Sequence, residues 1–290
     1  MKKKQHYVFR DYLRAWADKD IIHASRLGVD FRVNLSGVAQ ERFFYELSEL
    51  TEDDFVFIKD IVIGPLDNDL AKLNMGWFKP LILMQQMKQN LISRGIFNGE
   101  IHDEINGFFK EAQEELHCEI ESAGIPLLAM LKNKDLSFYD DVKLRAGFCH
   151  FLAVQYFRTK KLKVNFLKLS KKDSRMKFEN TWGLISHVYA TNVGLAIFRE
   201  KYKFVLLVQE GEIEFITSDQ PVINVLSHLA SNPTQDDIEL YYPVSPEIAL
   251  LVTNKESYEN KSINLISSGD VNDFNEMLKK HSNEFIFFRK

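Results

Sequence analysis

The spacing of apolar residues changes once along this chain, near Lys201, and that change constrains the fold more than any motif does. From Val38 to about Glu200 the apolar positions recur at helical spacing. Beyond Lys201 they fall into short runs rich in β-branched and aromatic residues: KFVLLVQ, EFITS, PVINV, ELYYPV, IALLVTN, INLIS and EFIFF. Turn signals at Gly211, Pro221, Pro233 and Ser267-Ser268-Gly269 separate these runs, and one helical stretch, DVNDFNEMLKKH, interrupts them. Helices segregated from strands predict an α+β fold. Residues 1–200 read as a mainly helical region and 201–290 as a mixed β-sheet region with one helix. IIHASRLG and DFRVNLSG near the start read as a short hairpin able to join that sheet. No internal repeat or low-complexity linker divides the chain, so the two regions are expected to pack as one compact unit.

Within the helical region, VAQERFFYELSEL reads as an amphipathic helix, and Thr51-Glu52-Asp53-Asp54 offers a helix start. A long helical stretch from about Leu66 to Arg94 is expected to be kinked or divided at Pro80. Another begins near Asn98 and runs past Glu121, where Gly124 and Pro126 are expected to interrupt it. DDVKLRAGFCHFLAVQYFRT and FENTWGLISHVYATNVGLAIFRE supply two more helices.

The 290 residues can bury a sizeable core, and 23 Phe point to an aromatic-rich one. Two cysteines, Cys118 and Cys149, are too few for a metal cluster or a disulfide framework and read as reduced thiols, a single disulfide being the alternative. Lys2 to Lys4 resemble the start of a signal peptide, but Arg10, Asp11, Arg14 and Asp18 break up any apolar core behind them. WFKPLILMQQM, the most apolar helical stretch, is too short and polar to span a bilayer. A cytoplasmic protein without membrane partners is expected. Charge is unevenly placed. Residues 158–177 carry nine Lys and Arg against Asp173 alone, a local +8 in a chain of net charge −4. Such a segment is either a solvated face or a phosphate-attracting patch, with Lys160, Lys161, Lys171 and Lys172 as its candidate contacts.

Three places carry candidate chemistry. The opening packs His6, Tyr7, Arg10, Tyr12, Arg14 and Trp16 into eleven residues. In GFCHFLAVQYF, apolar residues occur on nearly every side, which marks an enclosed helix, yet Gln155 and Arg158 lie on one face of it. An enclosed guanidinium needs acceptors, so a carboxylate must reach Arg158. This is either a structural polar network or a substrate-facing cluster. FITSDQPV supplies the candidate carboxylate, Asp219, at a strand end, where an Asx-type turn is the plainer alternative. Glu114-x-x-His117, with Glu121 on the same face, has di-iron bundle spacing but lacks the second Glu-x-x-His. His102-Asp103-Glu104 lacks a zinc partner, so no metal site and no cofactor is expected. Gly-x-x-x-x-Gly-Lys, Gly-x-Gly-x-x-Gly and Gly-x-Ser-x-Gly are all missing from the sequence.

The order of these pieces resembles a bacterial protein family of unknown function. That family is marked by His-Tyr-Val-Pro-x-x-Tyr-Leu-Arg-x-Phe at the start, a central Gln-x-x-Arg-Thr-Pro and a later Thr-Ser-Asp-Asn-Pro-Val. The matching stretches here are His6–Trp16, Gln155–Lys160 and Thr217–Val222, with Phe9, Lys160 and Gln220 in place of Pro, Pro and Asn. The resemblance brings no reaction with it. From the residues alone, the expected function is action on a phosphodiester, as a metal-independent, ribonuclease-like bacterial effector. His6 would be the general acid or base, Arg10 and Arg158 would hold phosphate, Asp219 would orient His6 or Arg158, and Gln155 would position substrate. The alternatives are a non-catalytic nucleotide or nucleic-acid binding module and an interaction protein with a structural polar cluster. Substrate, oligomeric state and trigger are not legible.

Overall fold

A computed structural model of the protein describes residues 4–226 and 238–290. Lys2, Lys3 and the expected turn at Pro233 lie outside the described residues. The fold is α+β. The opening forms β1 (Lys4–His6), α1 (Arg10–Leu13), β2 (Ala17–Asp18), β3 (Ile21–Arg26), β4 (Val29–Asn34) and β5 (Gln40–Arg42). Helices follow: α2 (Glu52–Phe57), α3 (Asn68–Asn74), α4 (Lys79–Ser93), α5 (Gly99–Lys132), α6 (Val142–Phe157), α7 (Lys160–Lys172) and α8 (Phe178–Arg199). The chain ends with β6 (Lys203–Gln209), β7 (Thr217–Ser218), β8 (Ile223–Asn224), β9 (Leu240–Ser245), β10 (Ile248–Thr253), β11 (Ile263–Ile266), α9 (Ser268–His281) and β12 (Ile286–Phe288).

One mixed sheet has the order β11-β6-β10-β9-β8, with β11 parallel to β6 and the other pairs antiparallel. Its central strands are apolar on both faces because both are covered. Phe204, Leu206 and Val208 face a core shared with the opening residues and α6. Val205 and Leu207 face a second core with Val271 and Leu278 of α9. The β3–β4 hairpin does not extend this sheet. It forms another with β2, β12 and β7, so the last strand of the chain pairs with the first hairpin, Phe287 opposite Ala24. α6 separates two cores: Phe148, Phe151 and Leu152 belong to the sheet side, Ala153, Val154 and Phe157 to the helical side.

Local signals explain most boundaries. Thr51 and Asp54 form a reciprocal capping box, and Asp67, Asn98 and Asp141 cap α3, α5 and α6. Pro80 lies in the first turn of α4, where its missing N–H costs nothing.

Two expectations fail. VAQERFFYELSEL is not helical: Gln40–Arg42 pairs antiparallel with Lys4–His6. Ala39 and Phe43 take positive φ of 47° and 53°, outside helical geometry. The buried Gln5 side chain donates to the Lys110 carbonyl at 3.1 Å and accepts from the Tyr45 N–H at 2.8 Å, which fixes the extended path. The amphipathic spacing was real, but the paired backbone of β1 outweighed it. Nor do Gly124 and Pro126 stop α5, which runs unbroken to Lys132. The lost hydrogen bond is offset by burial of Leu127, Leu128 and Leu131 on one face. Gly124 is needed there for close packing, since a Cβ would lie 2.3 Å from Cε2 of Phe151.

Candidate functional site

The opening stretch is rich in polar-tipped aromatics because it is threaded between distant segments. Tyr12 Oη lies 2.6 Å from Thr217 Oγ1 and donates to the Pro243 carbonyl at 2.8 Å. Trp16 Nε1 donates to the Phe215 carbonyl at 2.8 Å. Tyr7, Tyr12 and Trp16 are all buried. Their rings serve the core, and the tips of Tyr12 and Trp16 bond backbone carbonyls there.

Arg158 sits where α6 ends, 3 % exposed, and every nitrogen of its guanidinium has an acceptor. Nε donates to Tyr45 Oη at 2.8 Å, Nη1 pairs with Glu121 Oε1 at 2.5 Å, and Nη2 donates to the His6 carbonyl at 2.7 Å. Tyr45 Oη donates in turn to the same carbonyl at 3.2 Å. Burial opposes the charge on Arg158, but Tyr45 and Glu121 outweigh it and hold the group protonated. The expected enclosure of Arg158 and Gln155 is therefore observed, whereas the expected carboxylate is not the one used.

Glu121, from α5, takes the place assigned to Asp219. Asp219 instead accepts from the backbone N–H groups of Asn283 and Glu284 at 2.8 and 2.7 Å. It ties the segment entering β12 to the segment leaving β7, which is neither an ion pair nor a local turn. Burial pushes the pKa of Asp219 above the ordinary carboxylate value, although these N–H groups pull it the other way. Gln220 bonds Thr159 Oγ1, the Tyr156 carbonyl at 3.2 Å and the Val222 carbonyl at 2.8 Å, closing the corner between α6 and α7. Gln155 is buried, and its Nε2 has no hydrogen-bond partner among the described residues.

His6 is half-buried on β1, and its ring departs from the ordinary behaviour expected of it. Burial first, then the charge of Arg10, pushes its pKa down to about 4, with Arg158 and Lys4 adding to the shift against an opposing bond to the Val38 backbone. At neutral pH the imidazole is uncharged. Arg10 is exposed at the start of α1. Of the five residues proposed as catalytic, His6 and Arg10 are thus the two with a side chain open to a ligand.

The basic stretch after Arg158 is a helix, α7, with much of its charge engaged within the molecule. Lys160 lies 3.2 Å from Glu41 and 3.1 Å from Glu284. Lys161 donates to the Ser282 carbonyl at 2.9 Å, and Lys163 to the Phe44 carbonyl at 3.1 Å. Lys171 and Lys172, in the last turn, are exposed. Of the four candidate phosphate contacts, Lys160 and Lys161 thus have partners within the molecule, and Lys171 and Lys172 are exposed. The buried Arg and the bridging lysines hold α7 against the opening and the chain end.

Sequence reasoning missed Tyr45, Gln113 and the histidines behind Arg158. The Tyr45 ring lies 4.3 Å from that of His117, His117 stacks at 5.0 Å on His187, and His187 stacks at 4.8 Å on Trp77. His187 Nε2 donates to Gln113 Oε1 at 2.8 Å. Burial holds His187 down to about 3 and His117 well below the ordinary range. The signal was present in Glu114-x-x-His117 and Glu121, whose common face was read only for metal spacing. Among the described residues no three His, Cys, Asp or Glu converge in a way that could hold a metal ion.

Nearby space is small. A cavity of about 30 Å³ touches Arg158, Tyr45, Lys163 and Ser186, room for a water or two and no substrate. A groove of about 590 Å³ between α9 and β12 is lined by none of the sequence candidates.

One family profile, that of a protein of unknown function, DUF4238, matches residues 4–290. The chain belongs to the DUF4238 family. No curated protein and no solved structure matches. Membership agrees with an uncharacterised family spanning the chain and assigns no reaction to His6, Arg158 or Asp219. No helix among the described residues is long and apolar enough to cross a membrane.

Proposed function

We propose that this protein binds a phosphate-bearing ligand, with nucleic acid as the class, at the edge formed by His6 and Arg10. The observation that carries the reading is the field at His6: Arg10, Arg158 and Lys4 all disfavour its protonation. A neutral imidazole beside an exposed guanidinium offers an anion one charged and one uncharged donor. Arg158 does not touch the ligand in this reading. It positions β1 by holding the His6 carbonyl, while Asp219 and Gln220 hold the neighbouring segments. A cytoplasmic location belongs to the same proposal.

Cleavage of a phosphodiester is the second reading, and the neutral state of His6 favours it. An uncharged imidazole can accept a proton, and RNA brings its own nucleophile. The 2′-oxygen would attack phosphorus as His6 takes its proton, and the bond to the 5′-oxygen would break to leave a 2′,3′-cyclic phosphate. The departing 5′-oxygen would take a proton from His6 or water, and Arg10 would hold the phosphate. The test incubates purified protein with labelled transfer RNA, messenger RNA and DNA, at low and high salt, with and without chelator. Binding that weakens with salt and is lost in Arg10→Ala supports the first reading. Products that fall by roughly 10² to 10⁴ in His6→Ala, with binding retained, add the second. If no nucleic acid binds at low salt, the proposal is wrong in its ligand class.

A further inference from the structure

We infer that a second copy of this chain docks through α4 and α5, with α4 of one copy lying along α5 of the other. The inference starts from an exposed stripe on α4. Lys79, Leu83, Met87, Asn90 and Arg94 succeed one another at helical spacing and are all exposed, Leu83 by 64 % and Met87 by 46 %. Ile92 and Ile96, each about half exposed, lie beside its end. Apolar surface of this extent on a helix marks an interaction site. From Lys72 to Phe97 the sequence has four cations and no Asp or Glu.

The complementary surface is the first half of α5. Between Gly99 and Glu121 eight carboxylates face Lys110 as the lone cation. Glu104, Glu115 and Glu119 are exposed, and Phe108 and Leu116 are partly so. Phe108, Leu116, Gly107 and Ala112 line a crevice of about 300 Å³ whose wall includes Glu115 and Glu119. Small residues at Gly107 and Ala112 leave room for an inserted side chain.

The two stripes match in length as well as in sign. Lys79 to Arg94 and Glu104 to Glu119 each span fifteen residues, about 22 Å along a helix. Each therefore carries like charges at its ends and apolar groups between them. Laid together, Leu83 and Met87 meet the Phe108–Leu116 crevice while Lys79 and Arg94 meet Glu104 and Glu119. Reciprocal use of both helices about a two-fold axis closes the pair, as most soluble homodimers do. A lipid surface would use α4 alone and leave the acidic crevice of α5 unused.

Sedimentation velocity of the full chain at low and high salt tests this. The expected result is twice the monomer mass at low salt, with dissociation as salt rises. Leu83→Glu with Met87→Glu should yield monomers whose far-UV spectrum and melting are unchanged, since both side chains are exposed. Lys79→Glu with Arg94→Glu should also dissociate the pair, and adding Glu104→Lys and Glu119→Lys to the same chain should restore it. A monomer at every concentration and salt overturns the inference, and monomers that pellet with anionic phosphatidylglycerol vesicles would replace it with a lipid surface. A dimer indifferent to all these substitutions overturns the assigned face.

Discussion

Nη2 of Arg158 donates to the backbone carbonyl of His6 across 2.7 Å, joining residues 152 positions apart in the chain. The same guanidinium engages Tyr45 and Glu121. One side chain thereby fixes β1, the segment after β5, and α5 relative to the end of α6. The position of the His6 ring depends on that carbonyl being held.

Replacing Arg158 should destabilise the fold rather than only impair a ligand site. Arg158→Ala leaves Glu121 without its counter-ion and leaves Tyr45 Oη and the His6 carbonyl only each other as partners, at a cost of about 3–5 kcal/mol. Arg158→Lys should recover only part of this, because one ammonium cannot reach three acceptors held in a planar fork. Urea titrations of the two variants and of Glu121→Gln measure it. Wild-type stability in Arg158→Ala would show that the network contributes nothing.

The buried histidines should make the protein acid-sensitive. Unfolded histidine takes up a proton near 6.5, whereas folded His187 waits until about 3. Below 6.5 the unfolded chain therefore binds more protons, so stability is full above that value and falls as pH drops from 6.5 toward 3. Each such group contributes a slope of up to about 1.4 kcal/mol per pH unit. Denaturant midpoints at pH 7.5, 6.0 and 5.0 should decline, and His187→Asn should be less stable at pH 7.5 but decline less steeply. A flat profile in the wild type would contradict the burial argument.

The His6 ring should titrate at about 4 in the free protein and higher with inorganic phosphate bound, because an anion offsets Arg10, Arg158 and Lys4. Arg10→Ala should move it upward without any ligand. Proton NMR of the ring C2–H follows both shifts. An ordinary midpoint near 6.5 that ignores Arg10 would remove the basis of the proposed site.

Gly124→Ala should destabilise despite the better helix propensity of alanine. Propensity favours alanine by about 1 kcal/mol. The added methyl, however, meets the ring of Phe151, a residue 2 % exposed with no room to yield. Overpacking of this kind costs about 1–3 kcal/mol or more. A raised melting temperature would mean that α5 can shift away from α6 freely.

Periodicity and capping are short-range properties, and they are legible in the sequence. The helical middle, the change near Lys201, the capping box at Thr51 and the enclosure of Gln155 and Arg158 all follow from residues a few positions apart. So did the need of Arg158 for a carboxylate, because burying a guanidinium has a known cost. Which carboxylate answers that need was not legible. Asp219 and Glu121 are equally acidic in sequence, and only the approach of α5 to the end of α6 places Glu121 2.5 Å away. Long-range pairing likewise overrode local pattern at Gln40–Arg42, where β1 took up residues of helical spacing, and at Pro126, where burial of the α5 leucines carried the helix through. Local chemistry determines what each segment requires, and tertiary structure alone decides who supplies it, because partners such as Glu121 and Arg158, 37 residues apart, or Tyr12 and Thr217, 205 apart, meet only when the whole core is assembled.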